Sequence, residues 1–158
     1  FSFYVENFLP GSFSDLQYQI NSAGPVLNLT RNYEYMPACD SKLRYISIYK
    51  PLILNGNGFT INALGQSRIF NITASSNVTL KNITFINGRS NLGGAIIFNN
   101  AVSNVVINEC RFINNTAVDN GGAIDNWGEL TITESTLTEN TAKDGGAFRC
   151  TTCPIERE

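Results

Sequence analysis

The sequence predicts an all-β protein, a single-stranded parallel β-helix of about five rungs with a short amphipathic helix capping its N-terminal end. The triplet Gly-Gly-Ala starts at Gly93, Gly121 and Gly145, at spacings of 28 and 24 residues. Short apolar alternations typical of strands recur with a similar period. Asn, Gly and Thr are frequent, and long runs rich in Ala, Leu, Glu and Lys are missing, so the helical potential is low.

Two series of apolar residues mark the predicted strands of each rung. The first advances by 25, 26, 27 and 25 residues: Leu27, Leu52, Val78, Val105 and Leu130. The second advances by 23, 26, 28 and 24 residues: Ile46, Ile69, Ala95, Ala123 and Ala147. A large apolar residue also stands eight or nine residues before each Gly-Gly pair: Phe85, Phe112 and Leu137. Three short strands per unit of about 25 residues coil into one solenoid rung, and equivalent strands stack in parallel.

The alternation of buried and exposed positions predicts the corners. In the rung from 77 to 103 the expected inward residues are Val78 and Leu80, then Ile83 and Phe85, then Ala95 and Ile97 or Ile96 and Phe98. The alternation slips at Lys81-Asn82, which indicates a bend, because an uninterrupted strand would point Ile83 outward. The matching bends are Asn55-Gly56, Asn108-Glu109 and Thr133-Glu134. Asn and Gly suit such corners because both tolerate positive φ, and the Gly-Gly pairs also let backbones approach closely.

The pattern divides the chain into four segments. These are an apolar arm over 1–11, the capping helix over 12–24, the rungs over 25–148 and a Cys-containing tail over 149–158. In the cap, Phe13, Leu16 and Ile20 recur at helical spacing, and Ser12 or Ser14 can accept the N-cap hydrogen bond. No comparable cap follows residue 148, so we expect the C-terminal face of the solenoid to be open.

The arm is a candidate for self-assembly. Phe1, Phe3 and Val5 stand at strand spacing, and Phe8 follows them. An apolar strand of this kind pairs either with its own first rung or with the open last rung of another molecule. The second arrangement does not close on itself, so it would build a filament.

Composition and charge exclude several classes of protein. A net charge of -2 without a basic cluster argues against nucleic acid or an anionic membrane as partner. No apolar run is long enough to span a membrane. Histidine is absent, which removes the commonest proton shuttle and metal ligand. We expect no cofactor.

We expect no catalytic and no metal site, and therefore a protein that is not an enzyme. The enzymatic alternative needs paired acids beside a basic residue on one face. Its candidates are Asp119, Asp125 and Asp144 with Lys143 and Arg111. Asp119 and Asp144 stand in equivalent turns before Gly-Gly, so they are expected one rung apart, where a Ca²⁺ site is the other reading. Solvated turn residues explain them equally well.

The cysteines divide into two groups. Cys110 occupies an inward slot, so we expect a small buried core residue. Cys150 and Cys153 are disulfide candidates, either with each other or through a link from the tail to Cys39.

Asparagine and tryptophan supply the remaining surface candidates. Five Asn-x-Thr sequons are candidates for glycosylation: Asn28, Asn71, Asn77, Asn82 and Asn114. Asn77 and Asn114 are expected in turns, Asn28 and Asn71 are expected to face outward on strands, and Asn82 alternatively joins a stacked amide ladder. Trp127, with Asp125 and Asn126 beside it, is a candidate surface for stacking on carbohydrate; packing against the next turn is the other reading.

Several runs resemble a known group of surface proteins. Asn77-Val-Thr-Leu-Lys-Asn-Ile-Thr-Phe-Ile-Asn87, Arg111-Phe-Ile-Asn-Asn-Thr-Ala117 and Gly121-Gly-Ala-Ile-Asp-Asn-Trp-Gly128 resemble the repeats of polymorphic outer-membrane-type and archaeal adhesin-like proteins. Ser12-Phe-Ser-Asp-Leu-Gln17, Leu54-Asn-Gly-Asn-Gly-Phe-Thr-Ile-Asn62 and Arg68-Ile-Phe-Asn-Ile-Thr73 are similar to the opening rungs of methanogen adhesin-like proteins. The resemblance covers roughly Ser12 to Phe148, whereas Arg149-Cys-Thr-Thr-Cys-Pro154 departs from the pattern.

The resemblance implies a right-handed parallel β-helix at the cell surface or outside the cell, serving as a non-catalytic adhesin-like module of a stalk or fibre. Its implied partners are further rungs of a longer chain, other copies stacked end to end, or glycans and proteins on host or neighbouring cells. The alternative is a β-helix protein that binds or degrades carbohydrate.

Overall fold

The computed structural model describes residues 8–73, 77–91, 104–150 and, for the main chain alone, 97–99. Over these residues the chain forms a parallel β-solenoid of about four turns with a small helix at its N-terminal end, which confirms the predicted fold class. Three sheets of five strands each form the walls of the solenoid.

The strands of the three walls follow one another in turn along the chain. The first wall contains β1 (Val26–Asn28), β4 (Leu52–Asn55), β7 (Asn77–Lys81), β11 (Asn104–Asn108) and β15 (Glu129–Thr133). The second contains β2 (Tyr33–Glu34), β5 (Thr60–Asn62), β8 (Thr84–Ile86), β12 (Arg111–Ile113) and β16 (Thr136–Thr138). The third contains β3 (Ile46–Ile48), β6 (Phe70–Ile72), β10 (Ile97–Asn99), β14 (Ile124–Asn126) and β17 (Phe148–Cys150). β9 (Arg89–Ser90) and β13 (Thr116–Ala117) pair with each other near a corner, and the helices are α1 (Phe13–Ser22) and α2 (Pro37–Asp40).

The register of the first wall confirms most of the predicted series. Leu52, Val78, Val105 and Leu130 pair in successive turns. The placement of Leu27 was wrong, since it pairs with Leu54 and not with Leu52. A slip of two residues keeps every side chain on the same face, so the apolar pattern does not distinguish the two registers.

The register of the third wall also needs one correction. Ile46 pairs with Phe70, one residue beyond the predicted Ile69. Both Ile69 and Phe70 are fully buried, so burial alone did not distinguish them. Ala123 and Ala147 are aligned as predicted, with a hydrogen bond from the Ala123 amide to the Ala147 carbonyl at 2.7 Å.

The predicted corner after the first wall is a ladder of left-handed residues. Asn82, Glu109 and Glu134 have φ of 53°, 54° and 49°. In the earliest of these turns the positive φ falls on Asn57, at 50°, and not on the predicted Asn55-Gly56. A second ladder at the next corner consists of Leu64, Asn87, Asn114 and Glu139.

The interior is a continuous stack of apolar side chains. Val78, Leu80, Ile83 and Phe85 are buried as predicted, whereas the side chains at 95–98 lie outside the described part of the chain. Phe85 packs between two other rings, with centroids 5.7 Å from Phe70 and 5.0 Å from Phe112. Cys110 is buried, which confirms the predicted core position. Burial raises the pKa of its thiol to about 11, and main-chain hydrogen bonds offset part of that rise.

The Gly-Gly pair at Gly121-Gly122 marks a place where two turns touch. The Gly122 amide donates to the Gly146 carbonyl in the next turn. A Cβ on Gly122 would overlap the carbonyl oxygens of Gly146 and Thr141, so the close approach requires glycine here, as the sequence indicates.

Helix α1 closes the N-terminal end, where the sequence predicts it. Phe13, Leu16 and Ile20 are fully buried, and Ser12 is the N-cap, with its Oγ accepting from the Asp15 amide at 3.0 Å. An anchor that the sequence did not reveal is Asp40, at the end of α2. Its buried carboxylate accepts from the amides of Phe13, Ser14 and Met36 at 2.8–2.9 Å and from the Ser14 hydroxyl at 2.6 Å.

Candidate functional site

The predicted carbohydrate surface at 125–127 is mostly buried. Asp125 is 2% exposed and Asn126 is fully buried, so neither is a surface residue, contrary to the prediction. Asp125 lies beside Arg149 of the next turn, whose Nε and Nη2 reach its two carboxylate oxygens at 2.9 and 3.3 Å. The Arg149 guanidinium also lies 5.0 Å from the centre of the Trp127 ring. Trp127 is 42% exposed, but the Arg149 guanidinium lies over its ring. This contact fits the alternative prediction that Trp127 packs against the next turn.

The turns before Gly-Gly bring the two candidate acids together. Asp119 and Asp144 lie one turn apart, as predicted, since the Asp144 amide donates to the Asp119 carbonyl at 2.8 Å. Asp144 is exposed and Asp119 is half-buried. Throughout the described residues, no group of three or more His, Cys, Asp or Glu side chains has a geometry that could hold a metal ion. The third acid, Asp125, is engaged by Arg149.

One of the two predicted disulfide alternatives, the link from Cys39 to the tail, is wrong. Cys39 and Cys110 are free thiols, so the link from Cys39 to the tail is not formed. Cys150 ends β17, with its sulfur 3.3 Å from Asn126 Nδ2, and Cys153 lies outside the described residues.

The five sequons occupy three kinds of position. Asn114 is an exposed turn residue with positive φ, as predicted. Asn77 was placed wrongly, because it is the first residue of β7 and not a turn residue, although it is exposed. Asn28 and Asn71 point outward from strands, and Asn82 is an exposed corner residue.

An amide ladder forms at the second corner. Asn114 Nδ2 donates to Asn87 Oδ1 at 2.8 Å, and Asn87 Nδ2 donates to Asn62 Oδ1 at 3.1 Å. The ladder therefore links three successive turns at one edge of the solenoid. Asn114 is at once a ladder residue and a sequon.

The N-terminal arm is described only at its last residues. Phe1, Phe3 and Val5 lie outside the described part of the chain. The ring of Phe8 packs 5.3 Å from that of Tyr18 on α1, so this part of the arm lies on its own capping helix.

An arginine-lined groove was not predicted from the sequence. A concavity of about 610 Å³ lies beside the corner between the second and third walls. Arg44, Arg68 and Arg89 line it together with Tyr45, Ser67 and Gln66. Arg68 donates to Ser90 Oγ at 2.9 Å and lies over the Tyr45 ring, with its guanidinium carbon 6.0 Å from the ring centre. Burial lowers the pKa of Arg68, while the nearby charge of Asp125 is among the influences that raise it.

The repeat register holds the signal that could have revealed this groove. Arg44 and Arg68 each stand two residues before a strand residue, Ile46 and Phe70, and those two residues pair. Arg89 joins them from β9, where its amide donates to the Ser67 carbonyl at 2.9 Å. The chain thus has a basic cluster after all, although no stretch of the sequence is rich in basic residues.

One protein family resembles part of the chain. Residues 109–126, which include β12, β13 and β14, match the repeat of the Chlamydia polymorphic membrane proteins. The match supports the resemblance to polymorphic outer-membrane-type repeats and suggests a surface protein, while closeness to archaeal adhesin-like proteins stays a prediction. No curated protein and no solved structure matches the chain significantly. None of the described helices is both long and apolar enough to cross a membrane.

Proposed function

We propose that this chain is a non-catalytic adhesin-like module displayed on a cell surface. The observation that carries the proposal is the combination of a regular β-solenoid with a polymorphic-membrane-protein repeat that fits one of its turns. The recurring residues build the walls and corners, so the outward side chains are free to vary and to present binding surfaces.

Adhesion is tested with beads that carry the purified chain. We expect these beads to attach to cultured epithelial cells or to microbial cells more often than beads coated with albumin do. Soluble chain should compete with the attachment. Attachment equal to that of albumin beads on every surface tried would contradict an adhesive role.

The absence of catalysis is part of the proposal. Asp125 is held by Arg149, and Asp119 and Asp144 lie in turns with no third acidic ligand among the described residues. The alternative, a polysaccharide-degrading protein, predicts release of reducing or unsaturated ends from a polysaccharide. Turnover that is lost in Asp119→Asn or Asp144→Asn and kept in Asp15→Asn would establish that alternative.

In this proposal, further turns or further copies are added at the strand edges of the last described turn. Within the described residues β15, β16 and β17 each end their sheet, and Ile132, Leu137 and Phe148 are only partly buried. Such an edge accepts either a further turn of a longer chain or an apolar strand from a second copy, such as the arm with Phe1, Phe3 and Val5. Light scattering and electron microscopy of the chain, with and without residues 1–8, distinguish these two alternatives. Particles that lengthen with concentration only when residues 1–8 are present support a filament. A monodisperse monomer at high concentration overturns the filament.

Two modifications accompany an extracellular location in this proposal. We expect Cys150 to pair with Cys153 and the exposed Asn114 to accept a glycan in a glycosylating host. Peptide mass mapping of the secreted chain, before and after reduction and deglycosylation, tests both.

A further inference from the structure

We propose that the groove lined by Arg44, Arg68 and Arg89 binds an acidic oligosaccharide, through the carboxylate or sulfate groups that such sugars carry. The inference deepens the proposed function, because it names a class of ligand for a surface module. It depends on the geometry of the groove and not on the family match.

The first argument is the concentration of charge. Three of the seven arginines of the chain line this one groove, and no acidic residue is among its described lining residues. The chain as a whole carries a net charge of -2, so general basicity does not account for the cluster. Arg44 and Arg89 are exposed and Arg68 is half-buried, which gives one fixed guanidinium and two at the rim. The planar donor fork of arginine fits carboxylate and sulfate oxygens in pairs.

The second argument is a buried hydroxyl without a partner. Ser67 is 6% exposed and lines the groove, and its Oγ forms no hydrogen bond within the described part of the chain. A buried polar atom left unsatisfied is costly and rare in folded proteins. A rotation of the Ser67 side chain toward the groove would bring this hydroxyl to a ligand hydroxyl or acid oxygen, which would supply the missing partner.

Arg68 is held in place before any ligand arrives. Ser90 accepts one of its hydrogen bonds, and Tyr45 lies beneath its guanidinium. The Ser67 carbonyl in turn accepts from the Arg89 amide, so the segment that carries Arg68 is hydrogen-bonded to β9, which carries Arg89. A preorganised donor loses less conformational entropy on binding.

The size and lining favour a sugar over other anions. A volume of about 610 Å³ lies in the range of sites for small ligands and short oligomers. Hydroxyls and amides from Ser41, Gln66 and Asn91 accompany the arginines, and these suit a ligand rich in hydroxyl groups. A nucleotide base would need an aromatic face, and Arg68 already lies over the Tyr45 ring.

The proposal is tested by calorimetric titration of the full chain with three probes. These are a heparin-derived tetrasaccharide, which is sulfated, tetragalacturonate, which carries carboxylates alone, and neutral cellotetraose. We expect one or both acidic probes to bind and cellotetraose not to bind. Preference between the two identifies the acidic group, and binding should weaken as salt rises.

Matched variants locate the binding. The double variant Arg44→Gln and Arg89→Gln should weaken the acidic probe by at least about tenfold, because each substitution removes a charged hydrogen-bond donor. The double variant Arg31→Gln and Arg111→Gln removes the same charge from exposed arginines elsewhere and should change affinity less than about twofold. Ser67→Ala should weaken binding while leaving the melting temperature unchanged or raised, since it removes an unsatisfied group.

Two results would overturn the proposal: equal affinity for cellotetraose and the acidic probes, or equal losses in the two double variants. Neither result affects the proposal that the chain is an adhesin-like surface module. Bead adhesion that persists in the double variant Arg44→Gln and Arg89→Gln would still support that module. Oligosaccharide binding without any adhesion would overturn the surface module and not the groove.

Discussion

Phe85 and Phe112 stack nearly parallel in the interior, with ring centroids 5.0 Å apart and ring planes at 18°. They pair in register between β8 and β12 and are both fully buried. Each turn therefore contributes one large residue to a column that runs along the solenoid axis. The cohesion between turns depends on this column as well as on the main-chain ladders.

Truncation of the column should be among the most damaging substitutions. Phe112→Ala removes ring contacts with Phe85 and leaves a cavity between two turns, so we expect a loss of about 3–5 kcal/mol in the free energy of unfolding. Denaturant unfolding followed by circular dichroism measures it. Ile53→Ala, on the exposed face of β4, is the control and should cost less than about 1 kcal/mol. Equal costs for the two would contradict the packing account.

The contact between turns at Gly122 gives a second test. Gly122→Ala places a Cβ against two carbonyl oxygens, those of Gly146 and Thr141, so we expect a loss of about 2–3 kcal/mol. Gly24→Ala is the matched control, since a Cβ there meets nothing within 4 Å, and it should be neutral or slightly stabilising. A stable Gly122→Ala protein would show that the two turns separate without penalty.

Much of the fold was predictable because the same position recurs in every turn. Val78 and Val105 pair as expected, since their slot carries an apolar residue at i and i+2 in successive turns. Leu27 was misplaced because a slip of two residues leaves the buried face unchanged, and the register there follows other contacts. One such contact is the hydrogen bond from Asn55 Nδ2 to Asn28 Oδ1, at 2.9 Å.

The candidate sites were less predictable because they depend on which turns lie side by side. Asp125 was expected at the surface, but β17 covers it and supplies Arg149. Arg44 and Arg89 are far apart in the sequence and meet only when the turns stack. An amide ladder could be predicted, since Asn recurs with the period of the repeat. Which asparagines form it could be known only from the strand register.

The corner ladders predict a stabilising substitution. Glu109 and Glu134 occupy the left-handed position that Asn82 holds one turn before the first of them and two turns before the second. Asn adopts this conformation more readily than Glu, so Glu109→Asn should raise the free energy of unfolding by about 0.5 kcal/mol, and the double variant with Glu134→Asn by about 1 kcal/mol. Glu34→Asn, on strand β2, should not stabilise the protein. A destabilised Glu109→Asn protein would indicate that the Glu side chain has a role of its own.

The Asp40 anchor should be necessary for the cap. Asp40→Ala leaves the amides of Phe13 and Ser14 without their acceptor, so we expect a loss of about 2–4 kcal/mol. Hydrogen exchange should show faster exchange in α1 than in the walls. Asp144→Ala, at an exposed turn, should change stability by less than about 0.5 kcal/mol. Unchanged protection of α1 in Asp40→Ala would contradict the anchor.

The buried thiol of Cys110 predicts a loss of stability in alkali. Burial raises its pKa to about 11 from an ordinary value near 9, so the folded protein keeps this proton over a range in which the unfolded chain loses it. The resulting stabilisation is complete below about pH 9 and is lost as pH rises through about 11, with a total of roughly 3 kcal/mol. Denaturant midpoints measured from pH 7.5 to 11 follow the loss. The decline should be shallower in Cys110→Ala, which lacks the titrating group, and an identical decline would assign the alkaline loss to other groups.

Iodoacetamide at pH 8 should label the half-buried Cys39 before Cys110, because about one Cys110 thiol in a thousand is ionised at that pH.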